Sequence, residues 1–136
     1  MDGPDGADSI TSLLARHADD AVCRLVTVGR RSGRPHDIEI WFGVVGDELA
    51  FISGNGPSAD WYRNALANPA VEVRLGGRWL AGTARDAVGE ERRRVGEVMG
   101  RKHRGWGGDA DIGLTEPAWV WEVPALLVGD LRLRGS

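Results

Sequence analysis

Asp37-Ile38-Glu39-Ile40-Trp41-Phe42-Gly43-Val44, followed by Val45-Gly46-Asp47-Glu48 and then Leu49-Ala50-Phe51-Ile52-Ser53, is the stretch that decides the fold. Ile38, Ile40, Phe42 and Val44 alternate with Asp37, Glu39, Trp41 and Gly43, a period of two that predicts a strand with one face on a core and the other near solvent. Val45 to Glu48 reads as a hairpin turn, and Leu49 to Ser53 as the strand that returns from it. Working outward, Ala21 to Val28 is rich in β-branched residues and forms a strand upstream. Ala70 to Leu75 and Arg78 to Asp86 alternate on either side of Gly76-Gly77, a second hairpin. Hairpin connections make neighbouring strands antiparallel, so the chain is expected to be mainly β, an antiparallel sheet closed into a small barrel, and not a parallel βαβ fold.

Helices flank these strands. Ile10, Leu13, Leu14 and His17 recur at helical spacing behind Ser9, a candidate cap, while residues 1–8 are polar and expected to be disordered. Asp60 to Ala67 predicts a short helix capped by Ser58 or Asp60 and ended by Asn68-Pro69. Val88, Val95, Val98 and Met99 share one face of a helix over about Gly89 to Lys102, with Gly96 and Gly100 each costing on the order of 1 kcal/mol. Gly105 to Glu116 is a glycine-rich, acidic loop placed to cover a site; Trp119 to Val123 reads as a strand ended by Pro124, and Leu126 to Leu133 as a further short strand.

With 136 residues and 42% apolar content, residues 9–136 are expected to form a single domain. A formal net charge of −3 argues against a nucleic-acid partner. There is no apolar run long enough to span a membrane, and the N-terminus is acidic where a secretory signal is basic, so a cytoplasmic protein is expected. The single cysteine, Cys23, reads as a core residue. His17, His36 and His103 lack metal-ligand spacing, so no metal is expected. No nucleophile with a paired base stands out, and neither a GxGxxG turn nor a GxxxxGK[ST] loop is present; reactivity would have to come from a cofactor.

Arg30, Arg31, Arg34 and His36 fall within seven residues, with Gly29, Ser32 and Gly33 among them. Forked guanidinium donors and inward-turned backbone N–H groups suit phosphate or carboxylate, which makes the loop an anion cradle; a solvated basic hairpin is the alternative. Six tryptophans against one tyrosine and two phenylalanines, several beside glycine or charge, suit a pocket for a planar ligand, although barrel packing accounts for any one of them.

Leu25-Val26-Thr27-Val28-Gly29-Arg30-Arg31-Ser32-Gly33-Arg34-Pro35-His36, then Asp60-Trp61-Tyr62-Arg63-Asn64-Ala65-Leu66-Ala67-Asn68-Pro69, then Gly82-Thr83-Ala84-Arg85 follow one another in a pattern that resembles the deazaflavin-dependent nitroreductases, over roughly residues 22 to 86. The resemblance implies a split β-barrel related to the flavin-binding pyridoxamine phosphate oxidases, coenzyme F420 as cofactor, and hydride transfer to a quinone, enone or nitro compound. It further implies that Arg30, Arg31 and His36 hold the phosphate and acidic tail, that Ser32 and Gly33 within the loop ending at Pro35 offer donors, and that Ser53, Trp61 and Asn64 border the cofactor. Gly54 stands where relatives often carry a lysine. Arg85 is either part of this site or a structural ion-pair partner. Relatives line the acceptor pocket with C-terminal tyrosines; this chain offers Trp41, Trp106 and Trp119, with Trp121 nearby. Two other readings stand beside it: the same barrel using FMN, and a non-catalytic module that binds a cofactor, haem or lipid. Related barrels occur as monomers and as homodimers.

Overall fold

The computed structural model describes residues 6 to 134. Helix α1 (Gly6–His17) is followed by strands β1 (Val22–Val28), β2 (Pro35–Trp41), β3 (Gly43–Val45) and β4 (Glu48–Ile52), helix α2 (Asp60–Ala67), strands β5 (Ala70–Leu75) and β6 (Arg78–Asp86), helices α3 (Gly89–Lys102) and α4 (Glu116–Trp121), and strand β7 (Ala125–Leu133). All seven strands form one sheet in the order β2-β1-β5-β6-β7-β4-β3, and the pairings are antiparallel. The first and last strands in that order are joined in sequence by Phe42 alone, so the sheet must curl until its two ends meet. This is a half-barrel whose two end strands are joined by the chain itself, in line with the antiparallel barrel that the hairpins predict.

The expected strand from Asp37 to Val44 is therefore two strands. β2 pairs with β1 along its whole length, from Val22 opposite Trp41 to Val28 opposite Pro35, whereas β3 pairs with β4. Side-chain alternation carries through the joint, with Ile38, Ile40, Phe42 and Val44 all facing one core, which is why the sequence reads as unbroken. Phe42 is wholly buried, and its carbonyl, freed from the ladder at the bend, accepts from Lys102 Nζ (2.8 Å) and is hydrogen-bonded to His103 Nε2 (3.0 Å). The Lys102 ammonium also sits 3.7 Å from the Phe42 ring centre. Gly43 lies so close under α3 that a Cβ there would fall 2.7 Å from Met99 Sδ.

Two apolar clusters lie on opposite faces of the sheet. Leu25, Phe42, Leu49, Phe51, Val73, Leu80, Leu126 and Val128 pack with Ile10, Leu13 and Leu14 of α1, while Ala50, Ile52, Ala125 and Leu127 pack with Val95 and Met99 of α3 and Trp119 and Val120 of α4. Strands β4 and β7 are thus covered on both sides, which explains the unbroken apolar run Ala125 to Val128. The strand expected from Leu126 to Leu133 is β7, and it is central, bonded to both β4 and β6.

Three other expectations need correction. Helix α1 starts at Gly6, so residues 6–8 are helical; the expected disorder of residues 1–5 lies outside the described residues. The short helix α2 has its predicted bounds, but Ala59 stands at its cap without a side-chain bond, in place of Ser58 or Asp60. The expected strand Trp119 to Val123 is instead helix α4 through Trp121: Thr115 Oγ1 accepts from Ala118 N, and Pro117 sits in the first turn, a start signal that outweighs the short apolar run. Arg92 on α3 then donates to the carbonyls of Trp119, Val120 and Val123, satisfying that helix's C-terminal end. Among the described residues no helix is long and apolar enough to cross a membrane.

Because Phe42 fills the interior where β2 turns into β3, Phe42→Ala is expected to lower stability by about 3 to 5 kcal/mol in urea unfolding. A loss below about 1 kcal/mol would contradict that placement.

Candidate functional site

The β1–β2 hairpin carries the arginine loop. Gly29 N donates to Arg34 O (2.8 Å) and Gly33 N to Gly29 O (2.9 Å), which folds the segment into a tight turn. The side chains of Ser32 and His36 converge over Gly29: a Cβ there would fall 2.5 Å from Ser32 Oγ and 2.7 Å from His36 Nε2 and would push them aside. Ser32 Oγ also accepts from Arg34 N. Gly29, Arg30, Arg31, Ser32 and His36 line a depression of about 220 Å³, completed by Asp60 and Asn64 of α2. Gly33 and Pro35, at the tip and exit of the turn, stand outside its wall.

Arg30 and Arg31 are not equivalent. The Arg30 backbone N–H and one guanidinium nitrogen both donate to Asn64 Oδ1 (3.1 and 2.7 Å), and the other nitrogen pairs with Asp60 at 3.2 Å. Asn64 is only 3% exposed, and Asn68 Nδ2 adds a bond to Val28 O. Arg30 and Asn64 thus bracket the loop to α2, whereas Arg31, Arg34 and His36 are exposed and, among the described residues, pair with no carboxylate. The sequence pattern could not distinguish these arginines, because the bracket depends on a contact 34 residues away.

A second pocket, of about 230 Å³, opens on the neighbouring part of α2. Trp41, Gly54, Asn55, Trp61, Trp106 and Trp119 line it, with Asp109, Ile112 and Leu114 of the long loop. Trp41, Trp106 and Trp119 meet edge to face, with ring centres 5.4 to 5.7 Å apart. The other side of Trp41 is stacked on His103, with centres 4.8 Å apart and planes 6° from parallel. Burial pushes the His103 imidazole below its ordinary pKa, an effect its bond to the Phe42 carbonyl opposes, so the ring is uncharged near neutrality. His103 is a residue whose role the sequence reading missed; its only signal there was its place just after the basic last turn of α3, where it is the C-cap.

Gly54 leaves this pocket open. A Cβ would meet Leu114 and Trp119 at ordinary contact distance, so a longer side chain would have to occupy the space beside them. Ser53 is wholly buried, and its hydroxyl donates to Gly56 O at 2.7 Å, so it shapes the turn below the pocket and does not line its wall. Trp121 faces away, half exposed, against Gly96. Arg85 is a structural partner: it makes a bidentate pair with Glu48 (2.8 Å each) and reaches Glu91 at 2.6 Å. Cys23 is buried, and desolvation pushes its thiol up to about 12, which makes it inert.

The two pockets meet at one turn of α2, where Asp60 and Asn64 face the cationic loop and Trp61 faces the aromatic wall. Such a donor set fits a ligand with an anionic tail and a flat head. The fold has solved counterparts of similar size. An F420-H2 dependent reductase (FDR-A) is 23% identical, with 81% of this chain and 95% of that one covered at a TM-score of 0.63. An F420 reductase is 24% identical, with 90% and 93% covered at 0.58. A putative pyridoxamine 5'-phosphate oxidase from Listeria innocua is 20% identical, with 95% and 98% covered at 0.64, and carries the same split-barrel fold. The profile of one family, F420H(2)-dependent quinone reductase, matches residues 11–108 and so takes in the arginine loop, α2 and most of the aromatic wall. This chain belongs to that family: it is an oxidoreductase that uses the deazaflavin coenzyme F420 to reduce a small organic acceptor.

Proposed function

We propose that the two pockets divide the work, the arginine loop holding the cofactor's phosphate and acidic tail and the tryptophan pocket holding its ring against the acceptor. The observation that carries this reading is the sharp change of chemistry across one turn of α2, from guanidinium, imidazole and hydroxyl groups to indole walls. Arg31, His36 and Ser32 supply donors to the tail, with Arg34 and the Gly33 end of the turn at its edge. Arg30 and Asn64 act mainly by holding the loop on α2. Trp41, Trp61, Trp106 and Trp119 flank the reacting rings over the open space that Gly54 leaves.

When bound, reduced F420 supplies the hydride, so the protein's own groups bind, orient and exclude water. The tryptophan walls do the last of these: four large apolar faces leave little room for solvent beside a bound ring. His103, uncharged and stacked on Trp41, keeps that wall flat. The described residues are read as acting within a single domain, since both pockets are built from one sheet and its flanking helices.

The division of labour separates two variants. Arg31→Ala is expected to weaken F420 affinity by about 1 to 3 kcal/mol, read by tryptophan quenching, with an unchanged melting curve. Asn64→Ala, which leaves the part-buried Arg30 N–H without its acceptor, is expected to lower stability by roughly 1 to 3 kcal/mol and to weaken affinity with it. Unaltered F420 affinity in Arg31→Ala would return the loop to a solvated hairpin.

A further inference from the structure

We propose that Glu116 is a positioning residue for the acceptor pocket: its carboxylate grips the backbone on both sides of Trp106 and so fixes that indole in the wall. Gly105 N donates to Glu116 Oε2 and Gly107 N to Oε1, each at 2.8 Å. Trp106 is the residue between them, and its ring meets Trp41 and Trp119 edge to face. Glu116 is absent from the pocket lining, so it acts through Trp106 and not on the acceptor.

The carboxylate is itself anchored. Glu116 begins α4, whose first turn is fixed by the Thr115 cap and whose next residues, Trp119 and Val120, are buried. The chain between the two ends of this clamp is drawn together by paired bonds, Asp109 N to Leu114 O (2.7 Å) and Leu114 N to Asp109 O (2.9 Å). A glycine-rich loop of this length would otherwise be mobile, and two charge-assisted bonds to one side chain tie it to the start of α4. Those bonds also hold the Glu116 carboxyl below the usual carboxylate range, so the clamp stays charged near neutrality. The Trp106 Nε1–H is buried without a hydrogen-bond partner, so no polar bond of its own side chain holds the ring; the backbone clamp and aromatic packing must do so.

The inference rests on the tryptophan pocket being the acceptor's, and the experiment separates the two ideas. KM and kcat for a naphthoquinone with reduced F420, and the F420 dissociation constant from tryptophan quenching, are measured for Trp106→Ala, Glu116→Gln, Glu116→Asp and the double variant Glu116→Gln/Trp106→Ala. Glu116→Gln, which turns one acceptor oxygen into a donor facing an N–H, is expected to raise KM about five- to tenfold with kcat within about twofold, and to weaken F420 binding no more than Trp106→Ala does, since Trp106 also flanks the cofactor's ring. The double variant should lose no more than Trp106→Ala alone, and Glu116→Asp should recover part of the loss. If Trp106→Ala leaves KM unchanged, the pocket reading falls and this inference with it. If Trp106→Ala raises KM while Glu116→Gln does not, or the two losses add, only the role of Glu116 falls. Amide hydrogen exchange on the unmutated protein gives a check independent of any variant: the Gly105 and Gly107 amides should be protected, and exchange at the rate of open chain would overturn the clamp.

Discussion

The structure depends on one joint. Strands β2 and β3 lie at opposite ends of the hydrogen-bonded sheet yet are separated in sequence by Phe42 alone, so the sheet has to curl until they meet. That closure buries the Phe42 ring in one core and leaves its carbonyl without a ladder partner, and Lys102 and His103 at the end of α3 supply the missing bonds. An unsatisfied buried carbonyl costs about 1 to 3 kcal/mol, so the end of α3 is tied to the joint for a backbone reason before any functional one. The same tie carries the His103 ring onto Trp41, and Trp41 anchors the aromatic wall.

From that wall the rest of the site follows. Trp41 ends β2, and the arginine turn precedes β2, so one seven-residue strand has the cationic turn before it and the aromatic pocket at its other end. Helix α2 lies beside both, with Asp60 and Asn64 toward the turn and Trp61 toward the pocket. The separation has an electrostatic consequence: the guanidinium and imidazole groups gather at the turn, while the pocket at the other end is walled mainly by indoles, with Asp109 its one charged lining residue. Asp60 is the exception on the cationic side, and its pairing with Arg30 offsets its charge.

Much of this was legible in the sequence, and the failures have physical causes. The β5–β6 hairpin and helices α2 and α3 could be read to their ends because two-residue turns and helical apolar faces are local signals. The break at Phe42 left no trace, since alternation continues through it and only the exchange of partners, β1 for β4, reveals it. Trp119 to Val123 was misread because an apolar run of that length fits a strand or a buried helix equally, and the deciding signal was Thr115 and Pro117 just upstream. At the site, the cationic turn and the tryptophans could be named, but the split of Arg30 from Arg31, the retreat of Ser53 into the turn and the stacking of His103 arise from contacts far apart in sequence.

The central claim is that tail and ring are recognised by separate surfaces, one ionic and one apolar. The most direct measurement compares F420 with the same deazaflavin lacking its phosphate and glutamyl tail, by quenching of tryptophan emission across a range of salt concentrations. Both should quench, because on this account both put a ring into the pocket lined by Trp41, Trp61, Trp106 and Trp119. F420 should bind more tightly at low salt and lose that advantage as salt rises, while the tail-less ring stays nearly constant. Equal affinities at low salt, or equal sensitivity to salt, would contradict it.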